Sequence, residues 1–242
     1  MGSDAAPSPH RIPEGLRVYA FGDIHGRLDL LDKLLAAVER DSRGHAETRF
    51  VFLGDHIDRG PDSRGVIERL IQLKAERGAI CLAGNHEALM LAGLDGTGPL
   101  ERWLANGGDA VLASYGIKAR AYGGSDDEAG LRRALEAALP AEHMEFLRTL
   151  GTSASFGDYF FCHAGVRPGV ALDRQTEHDL IWIRRAFLDS TADFGKRVVH
   201  GHTPVARVDI RANRIDVDTG AFKTGRLSCV ALEGARVRVL HT

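Results

Sequence analysis

Apolar residues in the first third of the chain fall into short unbroken runs, each followed by a polar, glycine-bearing loop and a segment with apolar positions three and four apart. Residues 16–21 read as a strand, and Leu28, Leu31, Leu34, Leu35 and Val38 repeat at the helical period over 28–40. Residues 49–53 read as a second strand. Pro61, suited to the first position of a helix, precedes Val66, Ile67, Leu70, Ile71 and Leu73. A third strand over 79–83 leads into a helix starting near Asn85. This repeated order of strand, loop and helix predicts parallel strands joined by right-handed crossovers.

The pattern changes over 93–150, where helix-like segments at 100–114, 129–138 and 142–150 are broken by Gly123-Gly124 and Pro140. These residues read as a helical insertion that walls one side of a cleft. Beyond Gly151 the chain turns to short strands over 153–156, 159–162, 197–200, 205–210, 214–217, 227–232 and 236–240. Gly157-Asp158 and Ala212-Asn213 are hairpin turns in this reading, so the second half is expected to form a largely antiparallel sheet. Two sheets packed face to face, with helices outside, place loops from both halves around one cleft. Residues 1–15, rich in proline and small side chains, read as a flexible tail, and 16–242 as a single domain.

At 242 residues and 44% apolar content, the chain can bury a substantial core. Its 31 basic and 33 acidic residues and pI near 6.6 create no global field for nucleic acid or an anionic membrane. The N-terminus carries neither a signal peptide nor a spanning helix, and Ala6 stands where myristoylation wants Ser or Thr, so the expected compartment is the cytoplasm. Cys81, Cys162 and Cys229 lie in apolar runs without a C-x-x-C pair and read as buried, inert thiols. Oligomeric state is not legible.

Five blocks carry the chemistry: Gly22-Asp23-Ile24-His25-Gly26, Gly54-Asp55-His56-Ile57-Asp58-Arg59-Gly60, Gly84-Asn85-His86-Glu87, His163-Ala164-Gly165 and Gly201-His202-Thr203. Each follows an apolar run, so its polar side chains sit on loops past strand ends, where open α/β sheets place their sites. A lone Asp-x-His is more often a capped turn than a metal site. Five such blocks are another matter, because carboxylates and histidines beside buried strands are costly unless something pairs with them. Asp23, His25, Asp55, Asn85, His163 and His202 are too many ligands for one cation. They fit two cations about 3.5 to 4 Å apart, bridged by Asp55, an arrangement suited to in-line phosphoryl displacement.

These blocks resemble the phosphoprotein phosphatase branch of the calcineurin-like metallophosphoesterases, and within it the small bacterial and bacteriophage lambda-type serine/threonine phosphatases. The resemblance runs from about Val18 to Ala221 and includes Trp103-Leu104-Ala105-Asn106-Gly107-Gly108, Ile181-Trp182-Ile183-Arg184 and Asp216-Val217-Asp218-Thr219-Gly220. It implies an α/β (α+β) fold, a four-layer sandwich of two mixed β-sheets flanked by helices. It makes Asp23, His25 and Asp55 ligands of one metal, and Asp55, Asn85, His163 and His202 ligands of the other. His86 becomes the general acid, with Asp58 holding its other ring nitrogen, while Arg59 and Arg184 bind phosphate oxygens. Arg185 is a rival for the last role. No protein nucleophile is needed, since hydroxide bridging the metals attacks phosphorus directly.

The resemblance implies Mn²⁺, with Fe or Zn also suiting the donors. The implied substrate is phosphoserine or phosphothreonine in a phosphoprotein, with phosphotyrosine a further candidate. A symmetrical bis(5'-nucleosyl)-tetraphosphate hydrolase is the rival reading, because that family shares the blocks. A binding protein on the same fold would usually have lost ligands, and none is missing; a nucleic-acid role is disfavoured because no basic stretch interleaved with aromatics appears in the chain. His56 reads as a partly exposed loop histidine. His200 is in strand register with the site but has no ligand role in the family pattern.

Overall fold

The computed structural model describes residues 10–44, 47–118 and 127–242. Two five-stranded sheets stack with helices on both outer faces. The first has the order β10-β9-β1-β2-β3, formed by β1 (Leu16–Phe21), β2 (Glu47–Phe52), β3 (Ile80–Cys81), β9 (Ser228–Glu233) and β10 (Arg236–His241). The second has the order β4-β5-β6-β8-β7, formed by β4 (Ser153–Phe156), β5 (Tyr159–Cys162), β6 (Arg197–His200), β7 (Asp209–Ile210) and β8 (Arg214–Asp216). This is the expected four-layer α/β sandwich of two mixed sheets.

Period-two alternation explains the layering. Along β1, Val18 and Ala20 point between the sheets, where they meet Tyr159 and Phe161 of β5 and Val199 of β6. Tyr19 and Phe21 point outward against Leu31, Leu34 and Val38 of α1 (Leu28–Asp41) and Val66, Ile67 and Leu70 of α2 (Ser63–Arg77). On the far side, Phe160, Cys162 and Val198 face Leu180 and Ile181 of α8 (Glu177–Trp182) and Phe187 of α9 (Arg185–Leu188). Cys81, Cys162 and Cys229 are all free and buried. Among the described residues, no helix is long and apolar enough to cross a membrane.

The second sheet departs from the antiparallel expectation. β5, β6 and β8 are mutually parallel, and only the hairpins β4–β5 and β7–β8 are antiparallel. The cause is the crossover through α8 and α9, which returns the chain to start β6 beside β5. Strands β1, β2, β5 and β6 can therefore all deliver their following loops to one edge of the sandwich. The strand expected at 205–210 shortens to Asp209–Ile210, because Val205 N–H bonds to Asp218 O instead of extending the ladder. Helix α2 starts two residues after Pro61, with the Asp62 carboxylate capping Gly65 N–H at 2.8 Å.

After α3 (Asn85–Asp95), the helix expected from near Asn85, the insertion is helical, with α4 (Leu100–Trp103), α5 (Asp109–Ser114), α6 (Glu128–Ala138) and α7 (Ala141–Arg148). The helix expected over 100–114 is interrupted by a π-turn at Leu104–Gly108, where Gly107 has φ 102°. A β-carbon on Gly107 would come within 2.8 Å of Arg59 Cγ, so the break lets the insertion press on the Arg59 loop. The Gly123-Gly124 break lies outside the described residues. Within the expected tail, Ile12 is buried and its N–H bonds to Gly234 O at 3.0 Å, while Arg11, Pro13, Glu14 and Gly15 are exposed.

Away from the block-bearing edge, Asp41 at the end of α1 ties β1 and β10 together. It accepts from Tyr19 OH (2.6 Å), Arg17 Nη1 (3.0 Å) and Arg238 Nη2 (2.8 Å). Partial burial pushes the Asp41 carboxyl up, but the Arg238 and Tyr19 hydrogen bonds outweigh it and lower it to about 2. A carboxyl lowered on folding stabilises the protein above its unfolded value and loses that contribution as pH falls. Asp41→Asn should therefore flatten the acid limb of the stability curve between about pH 4 and about pH 2, read from urea midpoints across that range. An acid limb as steep as that of the parent protein would remove Asp41 from this role.

Candidate active site

Among the described residues, the non-glycine positions with left-handed backbone are His25 (φ 47°), Asp55 (50°), Asp58 (70°), Arg59 (68°) and His202 (68°). All five are site residues expected from sequence. Asp and His tolerate this region better than most types, whereas for Arg59 it is an outlier held by Arg59 N–H bonding to Gly107 O at 3.1 Å. The loops bend sharply just past β1, β2 and β6 and turn their polar side chains into a common centre.

Asp55 occupies that centre. Its Oδ2 lies 3.5 Å from His25 Nε2 and 3.8 Å from His86 Nε2, and its Oδ1 lies 3.3 Å from His163 Nε2. His163 Nε2 is in turn 3.1 Å from Asn85 Oδ1 and 3.2 Å from His202 Nδ1. Asp23 reaches the cluster from β1, accepting from His202 N–H at 3.1 Å. His25, Asp55 and His86 form one group of donor atoms within 4.8 Å of one another, and Asp55, His163 and His202 form a second, so Asp55 is shared.

The histidine tautomers follow from the backbone. His25 Nδ1 faces Ile57 O at 2.8 Å and His163 Nδ1 faces Leu53 O at 3.0 Å, so each holds its proton there and turns an Nε2 lone pair inward. His202 Nε2 is buried and without a hydrogen-bond partner among the described residues. Burial pushes His163 down to about 3 and His202 down to about 2, keeping both rings neutral. Burial pushes Asp55 up to about 7, with His86 pulling it back, and drives Asp23 well up alongside Asp218 and Asp55. Neutral imidazole lone pairs among crowded buried carboxyls are the surroundings a divalent cation stabilises, and the donor set fits such ions.

Beside this cluster, His86 Nδ1 lies 2.6 Å from Asp58 Oδ2, and Trp103 Nε1–H donates to Asp58 Oδ1 at 2.9 Å. Burial drives Asp58 up and His86 down, which leaves a single proton between them at Nδ1 and His86 Nε2 turned to the cavity. Arg59 spans the same opening, donating from Nη1 to His25 Nε2 (2.8 Å) and from Nη2 to His86 Nε2 (2.9 Å). Arg184 is exposed at the rim, its Nη1 donating to Thr203 Oγ1 at 3.4 Å, and it has no direct contact with Asp55. Arg185, its rival, is also exposed on α9.

His56 corrects its expectation. It is fully buried, with Nε2 at 2.9 Å from Leu82 O, because its loop folds beneath α3. His200 faces the outer layer, its ring edge-on to Phe187 at 5.0 Å, away from the centre. Three contributors had no role in the sequence reading. Glu87 accepts backbone N–H groups of Gly84 (2.8 Å), Asp55 (3.0 Å), His56 (2.8 Å) and Ile57 (3.2 Å). Trp103 holds Asp58, and Asp218, buried beside Asp23, accepts Gly220 N–H at 2.8 Å. All three stood within motifs named above; their roles depend on partners offered by distant sequence, which spacing does not reveal.

A sandwich of this topology with a shared carboxylate between two histidine groups defines a hydrolase of the metallophosphoesterase class. The chain belongs to the calcineurin-like phosphoesterase family, whose sequence pattern it matches over residues 16–228. It is 28% identical over 228 residues to serine/threonine-protein phosphatase 2 of Escherichia coli, covering 87% of this chain and 90% of that protein. It is 31% identical over 162 residues to the symmetrical bis(5'-nucleosyl)-tetraphosphatase of Dechloromonas aromatica, covering 67% of this chain and 48% of that protein. Its fold is similar to the crystal structure of a putative diadenosine tetraphosphatase, with TM-score 0.61, 23% identity and coverage of 98% and 96%.

Glu87 supplies a direct test of the loop architecture. Glu87→Gln turns an amide N–H₂ toward backbone donors and Glu87→Ala leaves them buried and unpaired. Each should cost about 3 kcal/mol or more, since an orphaned buried donor costs roughly 1–3 kcal/mol. Urea denaturation measures it, and a loss below about 0.5 kcal/mol for both variants would contradict the assigned role.

Proposed function

We propose that this chain is a metal-dependent phosphomonoesterase acting on phosphoserine and phosphothreonine in proteins. The observation that carries the reading is the Asp55 carboxylate set between two histidine groups with the His86–Asp58 pair alongside. Asp23, His25 and Asp55 would hold one divalent cation, and Asp55, Asn85, His163 and His202 a second, with Mn²⁺ as the proposed ion. When bound, such a pair polarises phosphoryl oxygens and lowers the pKa of water.

The chain's own residues supply the rest. Arg59 and Arg184 hold the non-bridging phosphate oxygens through their guanidinium forks. His86 would first take up a proton at Nε2 and then deliver it to the departing serine oxygen, a poor leaving group without it, while Asp58 at Nδ1 stabilises the imidazolium in between. Trp103, donating to Asp58, fixes the carboxylate's orientation. Likeness along 90% of the length of the Escherichia coli phosphatase supports a protein substrate, and tetraphosphatase relatives covered to a similar extent make the choice of substrate a matter for assay.

Two measurements test this reading. Mn²⁺-reconstituted protein should release phosphate from a phosphoserine peptide faster than it cleaves diadenosine tetraphosphate; rapid ADP formation with an inert phosphopeptide would make the tetraphosphatase reading correct. His86→Asn should lower kcat on the phosphopeptide by about 10²- to 10⁴-fold, the usual contribution of a positioned general acid. Unchanged turnover in that variant would remove His86 from the chemistry.

A further inference from the structure

An open cavity of about 480 Å³ lies between the segment after α9 and the β7–β8 hairpin. Arg214, which starts β8, lines it; β8 runs parallel to β6, whose far end leads to His202, so the cavity sits at the opposite edge from the catalytic loops. Its other polar lining residues are Asp189, Ser190, Thr191, Arg211 and Asn213. Arg214 is 5% exposed, yet its Nε is buried without a hydrogen-bond partner among the described residues. Its ion-pair partner, Asp209 Oδ2, stands 3.7 Å from Nη2, beyond hydrogen-bonding distance, and already accepts from Arg211 Nε at 2.7 Å. Burial, and then Arg211, push the Arg214 guanidinium down, and Asp209, Asp216 and Asp189 only partly restore it. A buried guanidinium short of acceptors is costly unless an anion supplies them.

We propose that this cavity binds free inorganic phosphate in its monohydrogen form, held between Arg214 and Arg211. Arg211 is exposed and turns its Nε to Asp209, which leaves its Nη groups to close on an oxyanion from the solvent side. Ser190 Oγ accepts Ala192 N–H at 3.2 Å and keeps its hydroxyl proton to donate, and Thr191 adds a second hydroxyl to the lining. Asn213 fixes the wall. Its Nδ2 donates to Ser190 O and Ala192 O, both at 2.9 Å, tying the segment after α9 to the hairpin before any ligand binds. Asp189 decides which oxyanion fits, because a carboxylate repels a fully deprotonated ligand and accepts from one that carries a hydroxyl. Monohydrogen phosphate keeps one hydroxyl at neutral pH, whereas sulfate has none and a phosphoserine side chain is largely the dianion. Under the phosphomonoesterase reading this ligand is also the reaction's product, but the chemistry of the cavity does not depend on that reading.

The test titrates inorganic phosphate into protein loaded with stoichiometric Zn²⁺, which is diamagnetic, at neutral pH and fixed ionic strength, and follows backbone amide resonances by NMR. The amides of Ser190, Thr191, Arg211 and Asn213 should shift and saturate, separately from those of Ile24 and Gly26, which report the catalytic loops. Sulfate, standing in for a fully deprotonated phosphate ester, should bind about 10-fold more weakly, and Asp189→Asn should erase that preference. Arg211→Ala should weaken phosphate about 10-fold, the loss expected for a charge-assisted hydrogen bond, and Arg214→Met should abolish the shifts. Asp189 and Arg211 are exposed, so their variants should melt with the parent protein and carry the test even where Arg214→Met does not fold. Cavity amides that phosphate leaves unmoved, or that respond equally in the parent protein and Arg211→Ala, overturn the site. An equal response to phosphate and sulfate overturns monohydrogen phosphate as its ligand. None of these readouts involves peptide turnover, so the phosphatase reading stands or falls separately.

Discussion

Four backbone N–H groups converge on the Glu87 carboxylate, and the architecture of the site depends on that convergence. Three belong to consecutive residues of the loop after β2 and one to Gly84 ahead of α3. A buried acceptor that satisfies all of them locks two sequence-distant loops into one body. Gly84 can then lie so close that a β-carbon on it would be 2.1 Å from Asp55 Oδ1, and the first turn of α3 presents His86 N–H to the same oxygen at 3.1 Å. Asp55 is thus fixed by the backbone before any ligand arrives, which is the preorganisation an electrostatic site requires.

Parallel strands complete the arrangement. β1, β2, β5 and β6 end on one edge of the sandwich, and the loops that follow them bring Asp23, His25, Asp55, His163 and His202 together from both sheets. The sheets contribute rigidity through Val18, Ala20, Phe161 and Val199 packed between them. The insertion adds the remaining side, since Trp103 reaches Asp58 and Gly107 supports Arg59. In the proposed reaction, cations, proton donor and phosphate-binding arginine all depend on loops whose positions are set by strands beneath them.

Much of this was legible in the sequence because the physical signals were local. Val18 to Phe21 and Leu28 to Val38 carry strand and helix periods that survive folding unchanged, and the glycine-flanked blocks mark where those elements end. The sheet pairing of the second half was not legible. Short apolar runs such as Val198-Val199 fit parallel and antiparallel neighbours equally, and the deciding feature is the path of α8 and α9. His56 was misread for a related reason: its burial follows from Glu87 capturing its N–H and Leu82 O receiving its ring, contacts across 31 and 26 positions of sequence. Trp103 acquires its partner in the same non-local way.

The left-handed loops have an evolutionary consequence. At His25, Asp55, Asp58, Arg59 and His202 the backbone adopts a conformation that suits glycine better than any side chain, by roughly 1 kcal/mol or more per position. Mutation to glycine at these places relieves conformational discomfort while removing the chemistry assigned to them. The relief is partial, since at Asp58 the same change strands the His86 and Trp103 nitrogens that now donate to it, so backbone comfort and polar pairing pull in opposite directions at one residue.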